Sequence, residues 1–125
     1  MNIRFFENSL ENAIGAGIYE IYIQKKGKEE LIYIGESVFV LVRCATHLYE
    51  MKKGEGYLGF TKDMLDRADL TVVFKLLMNE SDRRTRQTKE SELVKKKHPR
   101  MQSGIKDRVK SIEAMIDEMT LLLNE

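Results

Sequence analysis

Two tyrosines, an arginine, a histidine and a glutamate are the residues of this chain whose types and spacing could do chemistry. Tyr19 lies in AGIYEIYIQ and Tyr33 in ELIYIGES, two short runs rich in Ile and Tyr. Arg43 and His47 follow in a segment of helical periodicity, four residues apart, so both project from one helix face. Glu90 lies in a second helical segment rich in lysine. Each of these types has chemistry it could do. A permanently charged, fork-shaped arginine matches a non-bridging phosphate oxygen. Tyrosine hydroxyls orient water or, beside a cation that lowers their pKa, accept its proton. A histidine can hydrogen-bond phosphate or shuttle a proton near neutral pH. One carboxylate can hold a hard divalent cation whose other ligands are waters. Each residue also has a plain structural use: packing for a strand tyrosine, solvation for a helix arginine, pairing with lysines for a helix glutamate.

The elements that must position these groups can be read in order. The first fifteen residues are ambiguous: Phe5, Phe6 and Leu10 fit a short helix or an extended lead-in, ended by Gly15 and Gly17. The two Ile/Tyr runs flank the polar KKGK turn centred on Gly27, which predicts a β-hairpin. Alternation puts Tyr19 and Ile21 on one side of the first strand and Ile18 and Tyr22 on the other, so that Tyr19 can face a groove while its neighbours fill the core. VFVLVRCATHLYEM predicts a helix over 38–51 with Ser37 as N-cap. The glycine-rich KKGEGYLGFTKD reads as a loop, DMLDRA as a helical turn, and LTVVFKLLM as a third, largely buried strand. Ser81-Asp82 caps a helix from about 83 to 97, which His98-Pro99 ends. Residues 105–123 space Ile105, Val109, Ile112, Ile116, Met119 and Leu123 as an amphipathic helix. The expected fold is α/β in the α+β sense: a small three-stranded sheet with an antiparallel hairpin, flanked by helices, plus the C-terminal helix. All 125 residues form one domain, with a core of about 16–102 and a helical extension of about 104–124.

The GIY strand, the YIG strand and an arginine ten positions after the YIG tyrosine resemble the GIY-YIG nucleases, which include homing endonucleases, restriction enzymes and the incision subunit of nucleotide-excision repair. Glu90-Ser-Glu-Leu93-Val94-Lys95-Lys96-Lys97-His98-Pro99-Arg100-Met101-Gln102 is similar to the family's metal-binding helix and the proline and amide that follow it, particularly in the repair subunit. Gly17, Tyr19, Tyr33, Gly35, Arg43, His47, Glu90 and Pro99 occur in the family's order. The resemblance implies an endonuclease that cleaves DNA with one Mg2+ or Mn2+ ion and leaves 5′-phosphate and 3′-hydroxyl ends. It implies Glu90 as the metal ligand, Tyr19 as general base, Tyr33 positioning water or phosphate, Arg43 on the phosphate, and His47 as a further catalytic group. Glu92, two residues on, points to another helix face and ranks below Glu90. Gly35 would let the backbone turn tightly and come close to a phosphate. Lys89, Lys95, Lys96, Lys97, Arg100 and Gln102 would meet nucleic acid. Two positions depart from the pattern: Glu36 stands where many repair-type members have lysine, and Gln102 where asparagine is common.

Charge supports a polyanionic partner. Residues 83–110 hold eleven Lys or Arg against three Asp or Glu, a net of +8, so the remainder nets −7. The plain alternative is a solvated helical face. DNA is the expected partner and RNA stays open. No apolar run approaches the roughly 20 residues of a membrane span, and MNIRFFENSLEN lacks the apolar core of a signal peptide, so a cytoplasmic location is expected and a membrane partner is not. The one cysteine, Cys44, has no partner for a disulfide or a zinc site and reads as a small apolar helix residue. Two other function classes remain: a nucleic-acid-binding module of the same fold that cleaves poorly, and an interaction protein using the C-terminal stripe, which either packs on its own domain or seams a homodimer.

Overall fold

A computed structural model describes residues 1–125. The hairpin forms where the alternation and the turn require it: β2, Gly17–Lys25, pairs antiparallel with β3, Lys28–Ser37. Lys26 and Gly27 between them both take positive φ, 53° and 79°, the pair of left-handed residues whose twist matches a two-residue hairpin. β4, Leu70–Asn79, is the expected third strand and lies on the other side of β2, antiparallel to it.

The sheet has four strands, not three. Asn2–Phe5 forms β1, which pairs in parallel with β4, giving the order β1-β4-β2-β3. The lead-in is therefore an edge strand followed by a single helical turn, α1, Leu10–Ala13. Two bulges break the strict alternation. Ile21 pairs with Tyr33 and Tyr22 with Leu31, so Ile32 is the extra residue of β3; Ile18 pairs with Met78 and Tyr19 with Leu76, so Leu77 is the extra residue of β4. The first bulge turns both Ile32 and Tyr33 into the main core.

Helices cover both faces. On one face Ile18, Ile34 and Val94 form a small cluster under α4, Arg83–Lys97. On the other, Tyr19, Ile21 and Tyr33 join the main core with Cys44 and Met51 of α2, Val40–Lys52. α2 starts two residues later than expected, because Ser37 Oγ accepts from the Phe39 N–H at 3.0 Å and holds the chain extended for one more step. The α4 cap is as expected: Asp82 Oδ2 accepts from the Thr85 N–H at 2.8 Å, and His98 closes the helix at φ 49° before Pro99.

The stretch read as a loop contains a 3₁₀ turn, Tyr57–Gly59, and the helical turn expected in DMLDRA forms one residue earlier, as the short helix α3, Lys62–Leu65. The last helix, α5, spans only Ile112–Leu123 and is capped by Ser111, whose Oγ accepts from the Ala114 N–H. Residues 105–110 instead loop back, with the Lys110 N–H donating to Met101 O and the Ser103 N–H to Arg108 O. Ile105 is accordingly exposed, while Met115, Met119 and Leu122 of α5 are buried in the main core. No helix is long and apolar enough to cross a membrane.

Candidate active site

The hairpin and α2 bring four of the five chemical residues together. Tyr19 and Tyr33 stack with ring centroids 6.1 Å apart, and the His47 ring stands edge-on to Tyr33 at 4.8 Å. The Tyr19 hydroxyl and His47 Nε2 share a hydrogen bond of 2.8 Å. Arg43, one turn before His47, places its guanidinium beside both tyrosines: burial opposes its charge, but the hydroxyls of Tyr19 and Tyr33 outweigh that and raise its pKa. Tyr19, Tyr33 and His47 are buried, which corrects the expectation that Tyr19 faces an open groove; only Arg43 reaches solvent freely.

Gly35 has a different role from the tight turn expected of it. It sits inside β3 opposite Tyr19, and a Cβ there would collide with Tyr19 Cζ and Oη and come within 2.9 Å of Tyr33 Cε2. The glycine exists so that the Tyr19 ring can lie across the strand. Gly35→Ala is expected to cost about 1–3 kcal/mol in urea unfolding, by displacing both rings, and to break the Tyr19 to His47 bond. Gly17 does relieve crowding as expected, since a Cβ there would strike Met78 O of β4.

Burial sets the protonation states. It pushes the Tyr19 hydroxyl well above its ordinary range, with Tyr33 adding to it and Arg43 opposing. Tyr33 is raised by burial first and by Asp107 second. His47 is pushed down to about 3, by burial and then by Arg43, so it is a neutral imidazole at physiological pH. Burial also raises the Cys44 thiol, leaving it an inert packing group.

Glu90 approaches from α4 on the far side of β3. It is 3% exposed, and its Oε2 has no hydrogen-bond partner. Burial raises its pKa to about 7, with Asp107 and Glu36 adding to the shift and the Glu36 backbone amide and Lys106 opposing it. The fields of Asp107 and Glu90 both reach Tyr33 and help hold its hydroxyl up. No three His, Cys, Asp or Glu side chains converge as a multidentate metal site. An orphaned, buried carboxylate oxygen nonetheless fits a cation held by one protein ligand and water. Glu92 is exposed on another face.

The basic stretch divides. Lys89, Lys95 and Lys96 are exposed and form no ion pair. Lys97 is bound to the buried Glu20 at 2.8 Å, and Arg100 to Glu118 and Glu125 at 3.2 and 3.1 Å, so neither is a free phosphate contact. Gln102 is buried: its Oε1 accepts from the Ile34 N–H and its Nε2 donates to Ile34 O, both at 2.8 Å, which continues the sheet past its β3 edge. Its amide serves the strand, not nucleic acid.

Three residues of the site escaped sequence reasoning. The Tyr57 hydroxyl shares a 2.7 Å hydrogen bond with His47 Nδ1, on the ring edge opposite Tyr19. Arg86 lies one turn before Glu90 and pairs with Glu36 at 2.8 Å. Asp107 comes from the 105–110 loop. The signal for Tyr57 was its place between Gly56 and Gly59, which the loop reading absorbed. Comparison of the chain with protein-family models, with curated proteins and with solved structures finds no match.

Proposed function

We propose that the protein is an endonuclease that hydrolyses DNA phosphodiester bonds with a single divalent cation, Mg2+ or Mn2+. The observation that carries the reading is Glu90, a buried carboxyl with an unpartnered oxygen across β3 from Tyr33, together with the tyrosine, arginine and histidine cluster on the other face. Glu90 would hold the ion, which supplies Lewis-acid stabilisation of the phosphoryl charge and of the departing oxygen when bound. Arg43, the charged group that reaches solvent, would receive a non-bridging phosphate oxygen. Tyr33 would orient the attacking water, and Tyr19, held by His47, would take its proton. Lys89, Lys95 and Lys96 would follow the phosphate backbone, giving salt-sensitive affinity with little sequence information.

Nicking of supercoiled plasmid in low salt, with Mg2+ or Mn2+ and with chelator, tests the proposal, with RNA run in parallel. Metal-dependent nicking that falls about 100-fold in Arg43→Ala is the expected result. The burial of Tyr19, Tyr33, His47 and Glu90 favours a second reading, a binding module of the same fold. Retardation of DNA in chelator, without nicking under any metal, would establish that reading in place of the first.

A further inference from the structure

A buried base raises a problem that the site's own geometry answers. Tyr19 is shut away from solvent, so a proton it takes from water has no direct way out. Its hydroxyl is joined to His47 Nε2 at 2.8 Å, and His47 Nδ1 is joined to the Tyr57 hydroxyl at 2.7 Å. Tyr57 is only half-buried, on the turn between Gly56 and Gly59. α5 holds that turn in place: Gly56, at φ +98°, lies against Ile112 and Ile116, and Gly59, at φ +86°, against Met115 and Met119. The rings of His47 and Tyr57 stack with centroids 5.9 Å apart.

We propose that Tyr57 is the outlet of a proton path, Tyr19 to His47 to Tyr57, that carries the proton of the attacking water to solvent without ever charging His47. The proposal rests on the nuclease reading of the site. In the resting state Tyr19 donates to Nε2, and Nδ1–H donates to the Tyr57 oxygen. As water attacks, its proton passes to the Tyr19 oxygen while the Tyr19 proton moves to Nε2. The Nδ1 proton moves to Tyr57, and the Tyr57 hydroxyl proton leaves to solvent. One proton has crossed from the nucleophile to bulk water, both hydroxyls are again protonated, and the imidazole has exchanged one tautomer for the other. After cleavage the reverse shift takes one proton from solvent at Tyr57, passes the Nε2 proton back to Tyr19 and the Tyr19 proton on to the oxygen of the 3′ product, and restores the starting tautomer.

Passage by tautomer exchange suits this histidine. Burial and the nearby Arg43 both oppose an imidazolium, so a relay that stored the proton as His47+ would meet a barrier that this one avoids. The path also gives α5 a part in the chemistry, through the turn it fixes.

Tyr57→Phe keeps the ring and its stack and removes only the hydroxyl. It is expected to lower kcat for metal-dependent nicking about 10- to 100-fold with KM unchanged. A curved solvent proton inventory in the wild type should become linear in the variant. Independently of activity, 15N NMR of the whole protein should find both His47 ring nitrogens at averaged shifts in the wild type and at two separate tautomer values in Tyr57→Phe. A wild type with one fixed tautomer that Tyr57→Phe leaves unchanged overturns the path, as does a variant that nicks at the wild-type rate with the wild-type inventory. If the wild type cuts no nucleic acid, the nuclease reading falls and the NMR measurement alone decides whether the path conducts.

Discussion

Glu90→Gln is expected to abolish metal-dependent nicking and, at pH 8, to yield a protein more stable than the wild type. The two effects have one cause. The carboxyl is raised from 4.5 to about 7 by burial, Asp107 and Glu36, so the folded protein binds this proton more tightly than the unfolded chain does. Below about pH 4.5 both states hold the proton and the group is neutral toward stability. As pH rises through about 7 the folded state must carry a buried charge, and stability is lost across that window. Each pKa unit corresponds to about 1.4 kcal/mol, and the buried amide of the variant has polar atoms of its own left without partners, which reduces the full value, so the amide should gain about 1–2 kcal/mol at pH 8. Nothing should be gained at pH 4. Thermal unfolding at the two pH values reads this directly. Millimolar Mg2+ or Mn2+ should raise the midpoint of the wild type at pH 8, because a cation at Oε2 neutralises the charge that destabilises the fold, and should leave Glu90→Gln unmoved. Activity should fall at least 1,000-fold, the scale of losing the principal charge stabilisation of a phosphoryl transition state. A Gln variant that nicks as the wild type does, or that shifts equally with metal, removes Glu90 from the centre of the site.

What was legible in the sequence was local. The β2–β3 hairpin was visible because Lys26-Gly27 supplies two positive-φ residues between alternating strands. α4 was visible because Asp82 and Pro99 mark its ends chemically. β4 was visible as a dense apolar run. β1 was not, since Asn2, Ile3 and Arg4 are exposed on an edge and are recruited by pairing with β4, which local pattern does not encode. The 105–110 loop was overwritten by helical spacing, yet its backbone bonds to Met101 and its Gly104 turn, φ 91°, prevent a helix there. In the site, the residue types and their order were legible, as was the one-face placement of Arg43 and His47. Their burial was not, nor were the partners that satisfy it. Lys97 and Glu20 are separated by 77 positions and Gln102 and Ile34 by 68, and only the folded sheet brings them together. The net +8 of residues 83–110 overstated the free charge for this reason, because several of its cations are spent on acids from the rest of the chain.

Arg86 makes the largest stability prediction from the same long-range logic. Its side chain is 5% exposed, and its Nε donates to Glu36 Oε2 at 2.8 Å while Nη1 donates to Glu80 O and Ser81 O at 3.1 and 2.9 Å. One guanidinium thus joins the end of β3 to the start of α4 and satisfies the carbonyls of the connection. Arg86→Ala removes all three bonds and leaves a carboxylate and two carbonyls without their donor, so a loss of about 3–5 kcal/mol in urea unfolding is expected. Glu36→Gln keeps an acceptor for Arg86 and the two carbonyl bonds, and should cost less, about 1–2 kcal/mol. The double variant should fall well short of the sum, since the two positions share one bond. Additive losses would show that the pair contributes nothing as a pair. The interaction also accounts for glutamate at 36: a lysine there would set a second cation against a buried arginine one turn from Glu90. Glu36 is therefore committed to Arg86, although its charge still reaches Glu90 and adds to the rise of that carboxyl. Freed by Arg86→Ala, its unopposed charge would raise the Glu90 pKa further, so the variant's nicking activity, measured under conditions where it remains folded, should require higher pH than the wild type.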